Sequence, residues 1–172
     1  MEQQHPNIVL IGMPGAGKST VGVILAKQTS RDFVDTDVLI QTSQQKSLQE
    51  ILDERGYKAL RRIEEEILLG LDLRNHVVAT GGSAAYSSAA MSHLRQHGVA
   101  VFLRVALAEL RRRITNFDTR GIARTPEQSF AEVYEERSLL YTKYADITID
   151  CADQNQDEIS ENIHREITHR RA

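Results

Sequence analysis

The segment GMPGAGKS, from Gly12 to Ser19, fits the spacing G-x-x-x-x-G-K-[ST] without deviation. The chemistry open to such a segment is the capture of a phosphate chain. Gly12, Gly15 and Gly17, with the small Ala16 between them, let successive backbone N–H groups turn inward around phosphate oxygens, where larger side chains would collide. Lys18 is expected to reach the β- and γ-phosphates, Ser19 to offer its hydroxyl to a magnesium ion, and Thr20 to extend the nucleotide contact.

Further on, Asp35-Thr36-Asp37 places two carboxylates one residue apart. On extended backbone such side chains point to opposite sides. Asp35 is then expected in the metal shell and Asp37 toward an acceptor hydroxyl. An isolated D-x-D is otherwise a solvated turn, so its place behind the phosphate loop decides the reading. Arg61-Arg62 precedes Glu64-Glu65-Glu66, and Arg137 follows Glu135-Glu136. Taken alone, both are salt-bridge lattices on a helix surface, at i,i+3 and i,i+4 spacing.

These residues need elements to position them. Ile8 to Ile11 is a short apolar run ending at Gly12, which reads as a buried parallel strand, and Val21, Ile24 and Leu25 follow at helical spacing. Further strand-like runs lie at Phe33-Val34, Val77 to Ala79, Val99 to Leu103 and Ile147 to Ile149. Between them, Ser47 with Glu50 makes a capping box ahead of Leu48, Ile51 and Leu52, and a second apolar stripe resumes after Gly56. Helical patterns also cover Leu107 to Ile114, Val133 to Tyr144 and Ile159 to Ile167. Alternating strands and helices predict a parallel sheet covered on both faces. Ligands of such a sheet collect at the carboxyl ends of its strands, where Asp35 to Asp37 and Thr80-Gly81-Gly82 fall. Thr115 to Ser129 is polar, holds Gly121, Pro126, Arg120 and Arg124, and reads as a mobile functional loop.

Composition narrows the classes. The 172 residues suit a single domain, and 41% hydrophobic and 26% charged residues are ordinary for a globular chain. A formal charge of −3 and the absence of Trp speak against nucleic acid or an anionic membrane as partners. The single Cys151 allows no intrachain disulfide, and Met1 to Asn7 carries no signal-peptide pattern, so a cytoplasmic monomer is the simplest expectation. Of the six histidines only His93 and His97 stand at i,i+4, which reads as a helix surface, and His164 to Arg171 reads as a solvated helix end.

Other phosphate-loop classes lack their parts here. The [NT]-K-x-D guanine reader of GTPases is missing, and the run Val77-Val78-Ala79 ends in Thr80-Gly81-Gly82, where a motor ATPase would end in Asp-Glu. A small-molecule kinase remains.

GMPGAGKST, then DTD at Asp35 to Asp37, LRRIEEE at Leu60 to Glu66, ATGG at Ala79 to Gly82, and ER followed by LLY at Glu136 to Tyr141, together resemble the shikimate kinase family. The order and spacing hold from about Ile8 to Asp150. The resemblance implies a three-layer α/β/α phosphate-loop kinase fold on a central, five-stranded parallel sheet. Its acceptor-binding helical region would cover about 35–65 and its lid about 115–129, all within one kinase domain over 1–172. It implies ATP with Mg2+ as the donor and a small hydroxylated carboxylate as the acceptor, shikimate foremost. It assigns the acceptor's hydroxyls and proton to Asp37, its carboxylate to Arg61 and Arg137, and backbone contacts to Gly81 and Gly82. Arg120 becomes the lid arginine that meets the phosphates, and Arg113 packs on adenine.

Three departures stand out. The family's usual third glycine is Ser83, which is expected to add bulk and a hydroxyl to the acceptor pocket. The usual Arg-Pro-Leu-Leu of the lid is Arg120-Gly121-Ile122-Ala123, followed by an extra Arg124, and the loop after Asp150 lacks the customary proline. A related hydroxy acid such as homoserine is the alternative acceptor. A regulatory nucleotide-binding protein that kept the fold and lost the chemistry is the alternative of another class.

Overall fold

A computed structural model describes residues 6–170. Residues 1–5 and 171–172, among them His5 and Arg171, lie outside the described residues.

Five strands form one parallel sheet: β1 (Asn7–Ile11), β2 (Asp32–Asp35), β3 (His76–Ala79), β4 (Gly98–Arg104) and β5 (Ile147–Asp150), in the order β2-β3-β1-β4-β5. β1 is central and buried along its whole length, as an uninterrupted apolar run must be when both faces are covered. β5, at an edge, alternates buried and exposed residues. After β3 the chain crosses β1 to build the other half of the sheet, so a crevice opens at the carboxyl end of β1.

The helices are α1 (Lys18–Thr29), α2 (Thr36–Gln44), α3 (Leu48–Leu69), α4 (Ser88–Gln96), α5 (Leu107–Arg113), α6 (Phe130–Tyr144) and α7 (Gln156–His169). α1 packs on α7 on one side of the sheet, while α4 and α6 lie against β4 and α3 against α4, giving the three-layer α/β/α architecture. The capping box at Ser47 and Glu50 starts α3 as its residues predict, and the same device starts α6 at Ser129 with Glu132. Gly56, at φ 78, kinks α3 where the apolar stripe pauses. No described helix is long and apolar enough to cross a membrane.

Two apolar cores result. The large one fills the sheet and its covering helices. A small one joins Ile40 of α2 to Ile51, Leu60 and Ile63 of α3, and it closes on Ala123 from the 115–129 segment. That segment is therefore docked, with Ile122 and Ala123 buried, although most of its residues are polar.

Candidate active site

The phosphate loop turns at the carboxyl end of β1 and runs into α1, whose N-terminus carries the positive end of the helix dipole. Gly15 and Gly17 take φ values of 82 and 93, open to glycine at little cost. Lys18 Nζ donates to the carbonyls of Gly12 (2.7 Å) and Met13 (2.8 Å). The ammonium is thus parked inside its own loop. Burial pulls its pKa down to about 8, against the opposing pull of Asp37.

Asp35 and Asp37 do diverge, but by a different route from the extended backbone expected of them. Asp35 caps α2, its Oδ1 accepting from the backbone N–H of Asp37 (2.9 Å), while Oδ2 accepts from the Ser19 hydroxyl. Asp37 lies in the first turn of that helix, and its side chain enters the cavity. An aspartate that prefers to cap starts a helix at once, so the strand ends there. Burial pushes the Asp37 carboxyl up, with Lys18 acting against it.

A cavity of about 370 Å3 runs from the loop to Asp37 and Arg137. Gly15, Gly17, Lys18, Ser19 and Thr20 line one end, Asp37, Gly81, Gly82 and Arg137 the other, and Arg113 and Arg120 the rim. Gly12 and Ala16 do not reach it. Ala16 is buried beneath the loop, its N–H donated to Met13, and Gly12 packs against the Leu103 carbonyl. Gly81 lines the cavity, but its N–H is already donated to Thr36 Oγ1 at 3.0 Å. Arg113 donates to the Gly15 carbonyl (3.2 Å) and also lines a second cavity of about 480 Å3 with Tyr134, Cys151 and Ala152 to Gln154.

Arg137 and Arg61 approach from different elements. Arg137 of α6 is 1% exposed, and its Nη2 donates to the Ala123 carbonyl at 2.8 Å. Arg61 of α3 lines a neighbouring cavity rather than the main one, yet its Nη2 donates to the same carbonyl at 3.0 Å. Neither belongs to a surface lattice. Both guanidinium groups converge on one oxygen, which is the arrangement a carboxylate needs. The extra Arg124 stays within the 115–129 segment, paired with Asp118 at 2.7 Å and stacked over Phe117.

Several residues of the site escape sequence reading. Glu64 is 3% exposed beside Asp37, Lys18 and Arg137, and burial pushes its carboxyl up to about 7. Its spacing from Leu60 and Leu68, at i,i+4 on the apolar face, was a usable signal. Tyr86, whose ring holds Arg61, carried none, and the LLY motif that ends at Tyr141 gave no sign that its hydroxyl donates to the Gly82 carbonyl. Cys151 is buried, and its thiol is pushed up to about 11 by burial. His93 is tied to the Leu71 carbonyl at 2.6 Å, and no cluster of three metal-ligating side chains occurs among the described residues.

Known proteins resemble this chain in sequence and fold. The sequence model of the shikimate kinase family matches residues 14–168. A shikimate kinase of Caldanaerobacter subterraneus is 34% identical over 162 residues, 92% of this chain and 94% of that protein. One from Rippkaea orientalis is 37% identical over 167 residues, 95% of this chain and 87% of that protein. Among solved structures, shikimate kinase from Acinetobacter baumannii in complex with shikimate superposes with a TM-score of 0.88 at 29% identity, covering 96% of this chain and 94% of that one.

Proposed function

Because the chain belongs to the shikimate kinase family of ATP-dependent kinases, we propose that it passes the γ-phosphoryl group of ATP to a ring hydroxyl of shikimate, giving shikimate 3-phosphate and ADP. One observation carries this reading: a single cavity runs from the phosphate loop to Asp37 and Arg137, and Arg61 from the neighbouring cavity converges with Arg137 on one oxygen.

In the reaction the acceptor oxygen forms a bond to γ-phosphorus as the bond from γ-phosphorus to the β–γ bridging oxygen breaks. The loop N–H groups and Lys18 hold the phosphate chain, and Lys18 exchanges its two carbonyl partners for phosphate oxygens. Arg120, on the rim, neutralises charge spread over the γ-phosphoryl oxygens. Asp37 orients the acceptor hydroxyl and takes its proton, which a loose transition state releases late. Arg61 and Arg137 hold the carboxylate, with Gly81 and Gly82 forming the floor beneath the ring. Arg113, bridging the two cavities, lies along adenine. Ser19 and Asp35 meet as two hard oxygen donors beside the phosphate site, which suits Mg2+. Bound there with the nucleotide, Mg2+ would supply charge neutralisation of the phosphates. All these residues come from one chain, so one copy suffices.

The test is coupled ADP release with a panel of hydroxy acids that includes shikimate and homoserine. Turnover that depends on shikimate is expected. Turnover with homoserine alone would move the acceptor assignment, and ADP release raised by no acceptor would overturn the kinase reading.

A further inference from the structure

The turn Gly81-Gly82-Ser83 needs glycine at two positions and not at the third. A β-carbon at Gly81 would run into Glu64 Oε1 and Asp37 Oδ1. At Gly82 it would stand 2.7 Å from Arg137 Nη1 and 2.8 Å from Pro14 Cδ. Ser83 sits at φ −98 and ψ 3, a conformation open to any residue. Its hydroxyl is not left to the cavity, as its place in the sequence suggests, but is donated to Glu64 Oε2.

Glu64 therefore has one anchored oxygen and one unanchored. Among the described residues Oε1 has no hydrogen-bond partner, and it lies over Gly81 at the spot that Asp37 Oδ1 also faces. A buried acceptor without a donor is costly unless something arrives to satisfy it. The groups around it come from four elements. Burial and Asp37 of α2 favour its neutral form, while Ser83 of the turn, Arg137 of α6 and Lys18 of α1 favour the charged one.

We propose that Ser83 is a positioning residue of the acceptor site: its hydroxyl fixes Glu64 Oε2, leaving Oε1 turned into the cavity to accept a hydrogen bond from a second substrate hydroxyl. The inference deepens the kinase reading and rests on it for the identity of the ligand. It specifies an acceptor with at least two hydroxyls besides its carboxylate, a class that includes shikimate and leaves out homoserine. Ser83 acts through Glu64 and transfers nothing itself.

The experiment has two arms on the full chain. In the first, carboxyl 13C NMR follows the titration of Glu64 in the free protein and in Ser83→Ala. Losing a hydrogen bond to a charged group is expected to raise the midpoint by about one pH unit, a tenfold change. In the second, KM for shikimate is measured against pH in wild type, Ser83→Ala, Glu64→Gln and the double variant. Ser83→Ala is expected to raise KM about tenfold at neutral pH, to approach wild type as pH rises above the new midpoint, and to add nothing in the Glu64→Gln background. KM for ATP stays unchanged. An unmoved Glu64 midpoint overturns the inference. So does a Ser83→Ala cost that is equal at every pH and persists beside Glu64→Gln, because a space-filling role behaves that way. If wild type turns over no hydroxy acid, the proposed function falls, and the titration in the first arm still decides whether Ser83 governs Glu64.

Discussion

The guanidinium carbon of Arg61 stands 3.6 Å from the centroid of the Tyr86 ring, with Tyr57 at 5.1 Å on the same group. The Tyr86 hydroxyl is donated to Glu136, which also accepts from Gln128 at 3.1 Å. The arginine proposed to meet the acceptor carboxylate has a long, flexible stem, and a pinned aromatic face removes much of that freedom before a substrate arrives.

Tyr86→Leu is therefore expected to raise the acceptor KM, by 2- to 30-fold for a contact worth about 0.5–2 kcal/mol, with the KM for ATP unaffected. Tyr86→Phe keeps the ring and should stay within about threefold of wild type. Steady-state kinetics with each substrate varied in turn decides it. A Phe variant as impaired as the Leu one would show that the hydroxyl matters and the ring does not.

Docking of the 115–129 segment depends on Gly121. Its φ is 70, and a β-carbon there would stand 2.6 Å from Leu48 Cβ and 2.8 Å from the Gln49 backbone nitrogen. Its own N–H donates to Gln49 Oε1 at 2.7 Å. Gly121→Ala should lift the segment from α3 and withdraw the Ala123 carbonyl from Arg61 and Arg137. Trypsin is expected to cut between 115 and 129 several-fold faster, and the acceptor KM to rise about five- to tenfold. Unchanged protection would mean that the lid is held elsewhere.

Glu64 makes stability depend on pH. Its folded pKa of about 7 lies above the ordinary 4.5, so the native state binds a proton that the unfolded chain gives up between those values. The stabilisation from the neutral carboxyl is whole below about pH 4.5 and is lost as pH rises through 7. Glu64→Gln should match wild type near pH 4.5 and exceed it at pH 8, by up to about 3 kcal/mol, while impairing acceptor use. Denaturant unfolding at the two pH values measures the difference. A Gln variant less stable at pH 8 would contradict the burial argument.

The fold was legible because local signals agreed with one another. Ile8 to Ile11 read as a buried strand, GMPGAGKS as a glycine turn between strand and helix, and the capping box at Ser47 marked a helix start where a helix begins. The helix α2 was not legible, because Asp35 reads as a metal ligand and as a cap in the same letters, and only the Asp37 N–H at 2.9 Å shows the cap. At the site, the phosphate half is contiguous in sequence and could be read directly. The acceptor half is assembled from α2, α3, the Gly81 turn, the lid and α6, so Ser83 meeting Glu64, or Tyr86 under Arg61, depends on packing that no local pattern encodes. Ser83 looked like lost space in the cavity and is instead a hydrogen-bond donor to its wall.

Phosphorus NMR of the products from ATP, Mg2+ and shikimate tests the proposed transfer most directly, with Lys18→Ala run beside wild type. A new phosphomonoester resonance, coupled to a single proton of the acceptor ring and growing in step with ADP, is expected for wild type. Lys18→Ala, without the ammonium now held by the Gly12 and Met13 carbonyls, should slow its appearance by 100-fold or more, an order-of-magnitude figure for loss of a preorganised charge. ADP accompanied only by inorganic phosphate, or a Lys18→Ala variant as fast as wild type, would contradict transfer through this cavity.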